Sequence, residues 1–385
     1  MRTFITSISL AVLLSFTGTV FAVAPVSHAQ DASVSTARNA PLRRAQAMRM
    51  ARAQLRASKR INASSSVSSS ASSSRSSVSS GTYDVLPDRT ARSTIVLLGQ
   101  TSPIIAGAKF FSNNEPMTVN TLSITLVSPV SSIDVFLVYD ADGRFLGTAT
   151  QQNSANVYQV SFPVGRLALP RRVDHSVYVR ARMKDVQNGG VSGEFVQVSA
   201  VQITGTGDWS NANYTTSFSD TFSESQTARA TIASVTNVGS PGNMLVGGSN
   251  QLLATFAFHT QNSDSQGRVV LQQLRIAAQV TSDVTLSNVK LRQEGSDTTV
   301  DCSIASNIIT CGSIPSNFGT VTNTEHFRIY GDVVMSGDNN NPILLLVINE
   351  PGTPSASGDI TWTDGDTIFT WLPLSAPVVR GTQFQ

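Results

Sequence analysis

An all-β fold of two tandem β-sandwiches is predicted by three features of this 385-residue sequence. Short runs alternate apolar and polar residues with a period of two. Turn residues punctuate those runs at short intervals. Matching segments then recur in order about 150 residues further on. Charged residues make up only 14% and aromatic residues 7%, while Gly, Ser, Thr, Asn and Val abound. That composition suits extracellular β-structure better than a helical cytosolic enzyme.

Residues 1–29 carry the parts of a secretory signal peptide. Arg2 is the only charge before Asp31, and Phe4–Val26 is mostly Leu, Ile, Val, Phe, Ala, Ser and Thr. Ser27-His28-Ala29 then puts small residues at the third and first positions before a cleavage after Ala29. An uncleaved anchor is the alternative, because the apolar run approaches the roughly 20 residues that span a bilayer. Either way, the expected location is secreted or cell-surface. No Cys follows the leader closely, so a lipoprotein anchor is not available.

Residues 30–62 form a basic segment, read as partly helical from Ala40 to Ile61, where Ala, Arg, Gln, Met and Leu dominate. Arg49, Arg52, Arg56 and Arg60 fall on one face as a basic stripe, and the apolar residues are divided between faces. Two uses fit: contact with anionic lipid or a wall polymer, or a solvated spacer. Nucleic acid is not expected as a partner, since no aromatic interleaves with the arginines. Residues 63–88 read as a disordered Ser-rich linker, since Ser64–Ser80 is Ser apart from Val67, Ala71, Arg75 and Val78. Such a tract buries too little apolar area to offset its chain entropy. The halves differ in charge: residues 32–80 hold nine Arg/Lys and no acid, whereas residues 81–385 hold 17 basic and 24 acidic groups.

The first sandwich is expected over residues 89–207. Its strand-like runs are Thr118–Leu126, Ile133–Tyr139, Ser176–Met183 and Phe195–Thr204. Turns are expected at Asn113-Asn114, Asp142-Gly143, Asn188-Gly189-Gly190 and Gly205-Thr206-Gly207. Residues 208–228, rich in Ser, Thr and Asn, read as an inter-domain linker, with packing against a neighbour as the alternative because the stretch holds Trp209, Tyr214, Phe218 and Phe222. The second sandwich is expected over residues 229–385. Its matches to the first are Ala108–Phe111 with Ala254–Phe258, Leu122–Ile124 with Leu274–Ile276, Asp134–Leu137 with Asp283–Leu286, and His175–Val179 with His326–Tyr330.

The two cysteines of the chain, Cys302 and Cys311, flank Ala305-Ser306-Asn307 at hairpin spacing. In an exported chain this favours a disulfide over a metal pair.

The second module ends in Gly358-Asp359-Ile360-Thr361-Trp362-Thr363-Asp364-Gly365 and Phe369-Thr370-Trp371-Leu372-Pro373. With the Ser-rich tract and the strand pattern, this ending resembles the exported, repeat-built surface proteins of candidate-phyla (Patescibacteria-type) bacteria. The resemblance spans roughly residues 60–385. It implies immunoglobulin-like modules and a surface or appendage role, and it supplies no catalytic residues.

No nucleophile elbow, zinc helix, phosphate loop or dinucleotide fingerprint is present. His175 and His326 recur at equivalent repeat positions, which favours a structural role at a strand start. No cofactor is expected, calcium being the one candidate: Asp140 with Asp142 resembles half of a calcium loop, and Asp364 with Asp366 forms a second acidic pair. Trp209, Trp362 and Trp371 are candidates for stacking on a glycan, Trp362 and Trp371 foremost, against a core or interface role in the sandwich. The functional expectation is a non-catalytic secreted or cell-surface protein acting in adhesion, envelope or appendage assembly, with other surface proteins or envelope polymers as partners. The alternative is a secreted carbohydrate-binding protein, with an enzyme of unrecognised type as the third reading.

Overall fold

The computed structural model describes residues 83–87, 92–219, 222–239, 244–263, 268–336 and 342–384, all within the unit Ser76–Gln385. The leader, the basic segment with Arg49, Arg52, Arg56 and Arg60, and the serine tract lie outside the described residues.

The first module holds β1 (Tyr83–Pro87), β2 (Ile95–Leu97), β3 (Ala106–Ser112), β4 (Met117–Leu126), β5 (Ile133–Asp140), β6 (Phe145–Gln151), β7 (Val157–Ser161), β8 (Ala168–Leu169), β9 (Asp174–Met183), β10 (Phe195–Val196), β11 (Val198–Gly207) and β12 (Asn213–Ser219). They pair in the order β1-β3-β9-β5-β6-β7-β4-β11-β12, with β8 also on β4. β6 pairs with β5 and with β7, so a single ribbon turns at β6 and encloses one core. Alternation drives this: Met117 and Val119, then Leu122, Ile124 and Leu126, point inward from β4. The inward phase slips once, where β11 shifts register between Thr204 and Gly205. Phe136 and Tyr158 meet edge to face at 4.7 Å in the centre.

The chain continues through β13 (Ser225–Ala228), β14 (Ala230–Asn237), β15 (Gly248–Asn262), β16 (Val269–Val280), β17 (Val284–Gln293), β18 (Thr299–Asp301), β19 (Ser303–Ala305) and β20 (Ile308–Cys311). A one-turn helix α1 (Ser316–Gly319) precedes β21 (Thr320–Val321), β22 (Thr324–Met335), β23 (Leu344–Ile348), β24 (Ile360–Thr363), β25 (Ile368–Phe369) and β26 (Val379–Phe384). One sheet runs β14-β15-β22-β17-β18, repeating the order β1-β3-β9-β5-β6 of the first module. The facing sheet runs β19-β20-β16-β23-β26, with β21 and β24 also on β16 and β25 on β24. The protein is therefore an all-β fold of two sandwich modules, each with its own core.

The repeat departs from itself at the crossing strand. β6 is continuous, whereas its counterpart is broken into β18 and β19 at Cys302, with each half in a different sheet. The disulfide joins Cys302 to Cys311 on β20, with Cα atoms 4.3 Å apart. The turn between β19 and β20 is made by Ser306 and Asn307, both with positive φ, the mirror-image turn that a two-residue hairpin favours.

Four expectations change. Residues 208–228 are not a linker: β12 completes the first sandwich and β13 pairs with β10 and β2. The linker expected over residues 63–88 gives way to β1 at Tyr83, which pairs with β3. Gly205-Thr206-Gly207 is the end of β11, and the turn follows it. His175 and His326 are not equivalent. His175 shares the parity of the buried Val177 and Val179, while His326 has the opposite parity to Phe327 and Ile329 and faces outward. An odd offset in a period-two strand exchanges the faces.

The modules meet through β2, β13 and β10. β13 runs parallel to β2 and antiparallel to β10, and all its side chains are buried. Ile95 belongs to the second core and its neighbour Val96 to the first.

Candidate functional site

Two of the three tryptophans expected to stack on a glycan, Trp362 and Trp371, are core residues. Trp362 is 0% exposed and stacks on Phe369 at 4.3 Å between ring centroids. Trp371 is 3% exposed, and its indole N–H donates to Gln226 Oε1 at 2.9 Å. The alternation that places Ile360 and Trp362 on one face turns that face inward. Neither ring can meet a sugar.

Three of the four calcium candidates, Asp140, Asp364 and Asp366, accept from the protein's own donors. Asp140 Oδ1 accepts from the backbone N–H groups of Asp142 and Arg144, closing the turn between β5 and β6. Asp142 is exposed on that turn. Asp364 is buried, and its carboxylate accepts from Ser192 Oγ and Arg229 N through Oδ2 and from Asp366 N and Thr367 N through Oδ1. Asp366 pairs with Arg229 at 2.9 Å. Among the described residues, no group of three or more His, Cys, Asp and Glu side chains could hold a metal ion.

The Asp364 cluster instead joins the modules. Ser192 lies in the loop before β10 and Asp364 in the turn between β24 and β25, 172 residues apart. Thr367 Oγ1 also donates to Ser192 O, and a Cβ at Gly193 would lie 2.7 Å from the Thr367 side chain. Gly193 has φ +89°, so glycine suits both the backbone and the contact there.

A second cluster lies at the end of the first module away from this junction. Glu115, in the connection from β3 to β4, is only 1% exposed. Its carboxylate accepts from Trp209 N and Ser210 N, both at 2.9 Å, Ser210 Oγ at 2.7 Å and Tyr214 Oη at 2.9 Å. Burial pushes this carboxyl upward, but the bonds from Ser210, Trp209 and Tyr214 outweigh it and hold it at about 2. A Cβ on Gly207 would lie 2.5 Å from Glu115 Oε1, so the missing side chain makes room for the carboxylate. The turn held in this way presents Trp209, 59% exposed, with the Arg171 guanidinium 5.5 Å from its ring centre. Sequence reading puts Trp209 in the linker and among the glycan candidates, and passes over Glu115.

The third feature is an open groove of about 880 Å³ in the second module. Its floor is the outer face of β17 and β22, with Lys290, Arg292, Tyr330 and Asp332, and its far wall is Asp301, Cys302 and Ile304. It opens where β18 ends: β18 pairs only with Lys290–Arg292, and beyond it the chain leaves for the other sheet at Cys302. Asp332 accepts from Asn288 Nδ2 at 2.7 Å and from Asn250 N at 2.8 Å. The Asn288 amide, then the Asn250 N–H, hold the Asp332 carboxyl below its ordinary value.

No family model and no curated protein matches the chain. Among solved structures it is similar to the C-terminal domain of the antigen I/II polypeptide BspA of Streptococcus agalactiae, at 8% identity and TM-score 0.21, over 75% of this chain and 97% of that one. It is similar to BcpA, the major pilin subunit of Bacillus cereus, at 8% identity and TM-score 0.24, over 77% and 65%. It is also similar to AvmM, which catalyses macrocyclization in alchivemycin A biosynthesis, at 12% identity and TM-score 0.23, over 37% and 88%. The all-β sandwich class stands on the strand registers of this chain.

Proposed function

We propose that the chain is a non-catalytic protein of the cell surface, exported by its leader and spaced by its Ser-rich tract, that acts in adhesion or in envelope or appendage assembly. It is proposed to belong with the exported immunoglobulin-like repeat proteins that its sequence resembles. The observation that carries this reading is the junction. Two sandwiches on a flexible linker would reorient freely, but here β2 contributes Ile95 to one core and Val96 to the other, and Asp364 ties Ser192 to Arg229. A body joined in this way keeps a fixed spacing between surfaces on its two modules and resists a pull between them. Adhesion and assembly use both properties. The disulfide suits an oxidising, extracytoplasmic compartment, and the partners would be other surface proteins or envelope polymers.

The test is fractionation of the producing cells with low- and high-salt washes, together with protease treatment of intact cells. We expect the chain outside the membrane barrier and digested on intact cells. Release by salt would assign retention to Arg49, Arg52, Arg56 and Arg60, whereas retention in the membrane pellet after high salt would assign it to an uncleaved leader. A chain found only in the cytosol would end the proposal.

A further inference from the structure

We propose that the groove beside the disulfide of the second module is a binding site for a neutral oligosaccharide. The inference deepens the reading of a surface binding protein by naming a ligand class, and it moves the sugar contact from the buried tryptophans to Tyr330.

Four observations carry it. First, the groove is a consequence of how the repeat diverged. In the first module β6 runs unbroken along β5 and covers its edge from Phe136 to Tyr139. In the second, β18 is three residues long, and the Cys302–Cys311 bond draws the chain away to the other sheet. The outer edge of β17 from Val284 to Asn288 then has no strand partner among the described residues. The space so opened, about 880 Å³, lies within the range of small-ligand sites.

Second, the lining has the chemistry that a sugar uses. Tyr330 faces out because its neighbours Ile329 and Gly331 are buried inward, and its pairing partners are Leu252 and Lys290. Its ring can meet the C–H face of a pyranose, with Leu286 and Ile304 as apolar walls. Around it stand an amide, a carboxylate and an ammonium, Asn288, Asp332 and Lys290, while the Arg292 guanidinium is held by Ser296 O and Asp297 Oδ1. These are paired donors and acceptors of the kind that vicinal hydroxyls satisfy.

Third, the acceptor is preorganised. Asp332 is fixed by Asn250 and Asn288, both at positive φ, which places their donors on its two carboxylate oxygens. A carboxylate already oriented loses little freedom on meeting a hydroxyl.

Fourth, the charges offset one another. Lys290 and Arg292 stand with Asp301 and Asp332, so the groove has no net attraction for a polyanion or a polycation. An added peptide strand is disfavoured, because the irregular register between Ser287 and Lys290, the positive φ of Asn288 and the charge of Lys290 blunt the β17 edge.

The test is isothermal titration of the oxidised, mature chain with cellohexaose, xylohexaose, mannohexaose and chitohexaose, with polygalacturonate and heparin as anionic arms. We expect saturable binding of at least one neutral hexasaccharide. Y330A should weaken it at least tenfold and D332N several-fold, while W209A binds as the parent does. Lys290→Ala, an exposed change, provides a third variant should Y330A fail to fold. Binding of the anionic polymers alone, no binding at all, or binding that Y330A, D332N and K290A leave unchanged would each overturn the site. Hydrolysis of a bound hexasaccharide would uphold the site and overturn the non-catalytic reading. A cytosolic location would overturn the surface role and leave the site standing.

Discussion

Ile95 and Val96 are consecutive on β2 and are buried in different hydrophobic cores, Ile95 in that of the second module and Val96 in that of the first. Strand alternation makes this possible: adjacent side chains leave opposite faces, and β2 lies where each face meets a different sandwich. The modules are therefore coupled through a shared strand as well as through surface contact.

The coupling predicts cooperative unfolding. Asp364→Ala would leave Ser192 Oγ, Arg229 N–H and the turn N–H groups of Asp366 and Thr367 without their acceptor. Loss of hydrogen bonds to a buried charge costs about 1.5–3 kcal/mol. By differential scanning calorimetry we expect one transition for the parent and two for D364A. A single, unshifted transition in D364A would show that the clamp does not couple the modules.

Glu115 gives the first module a defined acid sensitivity. Its folded-state value of about 2 lies below that of an unfolded glutamate, so the unfolded chain binds the proton more readily. Its contribution is fully present above the unfolded value of about 4.3 and is lost as pH falls from there through the folded value. Glu115→Gln should lower stability at neutral pH and flatten the acid limb between about pH 4.5 and 2. Urea midpoints measured across that range for both proteins decide it; parallel curves would refute the assignment.

The Cys302–Cys311 bond closes a loop over a sequence separation of 9. A loop that short stabilises by about 2–3 kcal/mol at most. We expect reduction, or the double change to Ala, to lower the unfolding free energy read from denaturant melts by up to that amount. A loss much above this would mean that the bond also supports packing around the buried Cys311.

Of the three tryptophans, Trp209 is exposed and Trp362 and Trp371 are buried. Iodide should quench only a fraction of the fluorescence in the folded protein, and Trp209→Phe should remove that fraction. Glu115→Gln should broaden the Trp209 signal by loosening its turn while leaving the emission of the buried pair unchanged. Quenching that survives in W209F would place another tryptophan at the surface.

Much of the architecture was legible in the sequence because its causes are local. Alternation in Thr118–Leu126 and Ile133–Tyr139 marks strands whatever they pair with, and the structure places β4 and β5 there. The Cys302–Cys311 spacing around a turn with Asn307 brings two thiols opposite each other within one hairpin. The period of two puts Ile360 and Trp362 on one face, and the structure buries that face. What was misread depends on partners distant in sequence. Polar Asn213–Ser219 resembles a linker until β11 supplies its ladder, and buried Ser225–Ala228 resembles one until β2 and β10 enclose it. Glu115 meets Trp209 across 94 residues and Asp364 meets Ser192 across 172, and no spacing rule links them. Short-range patterning determined which residues form strands and which cysteines pair. Sheet closure alone decided which polar groups became buried acceptors, which tryptophan stayed in water, and where the broken crossing strand left a groove, because only closure sets the dielectric and the hydrogen-bond partners around each side chain.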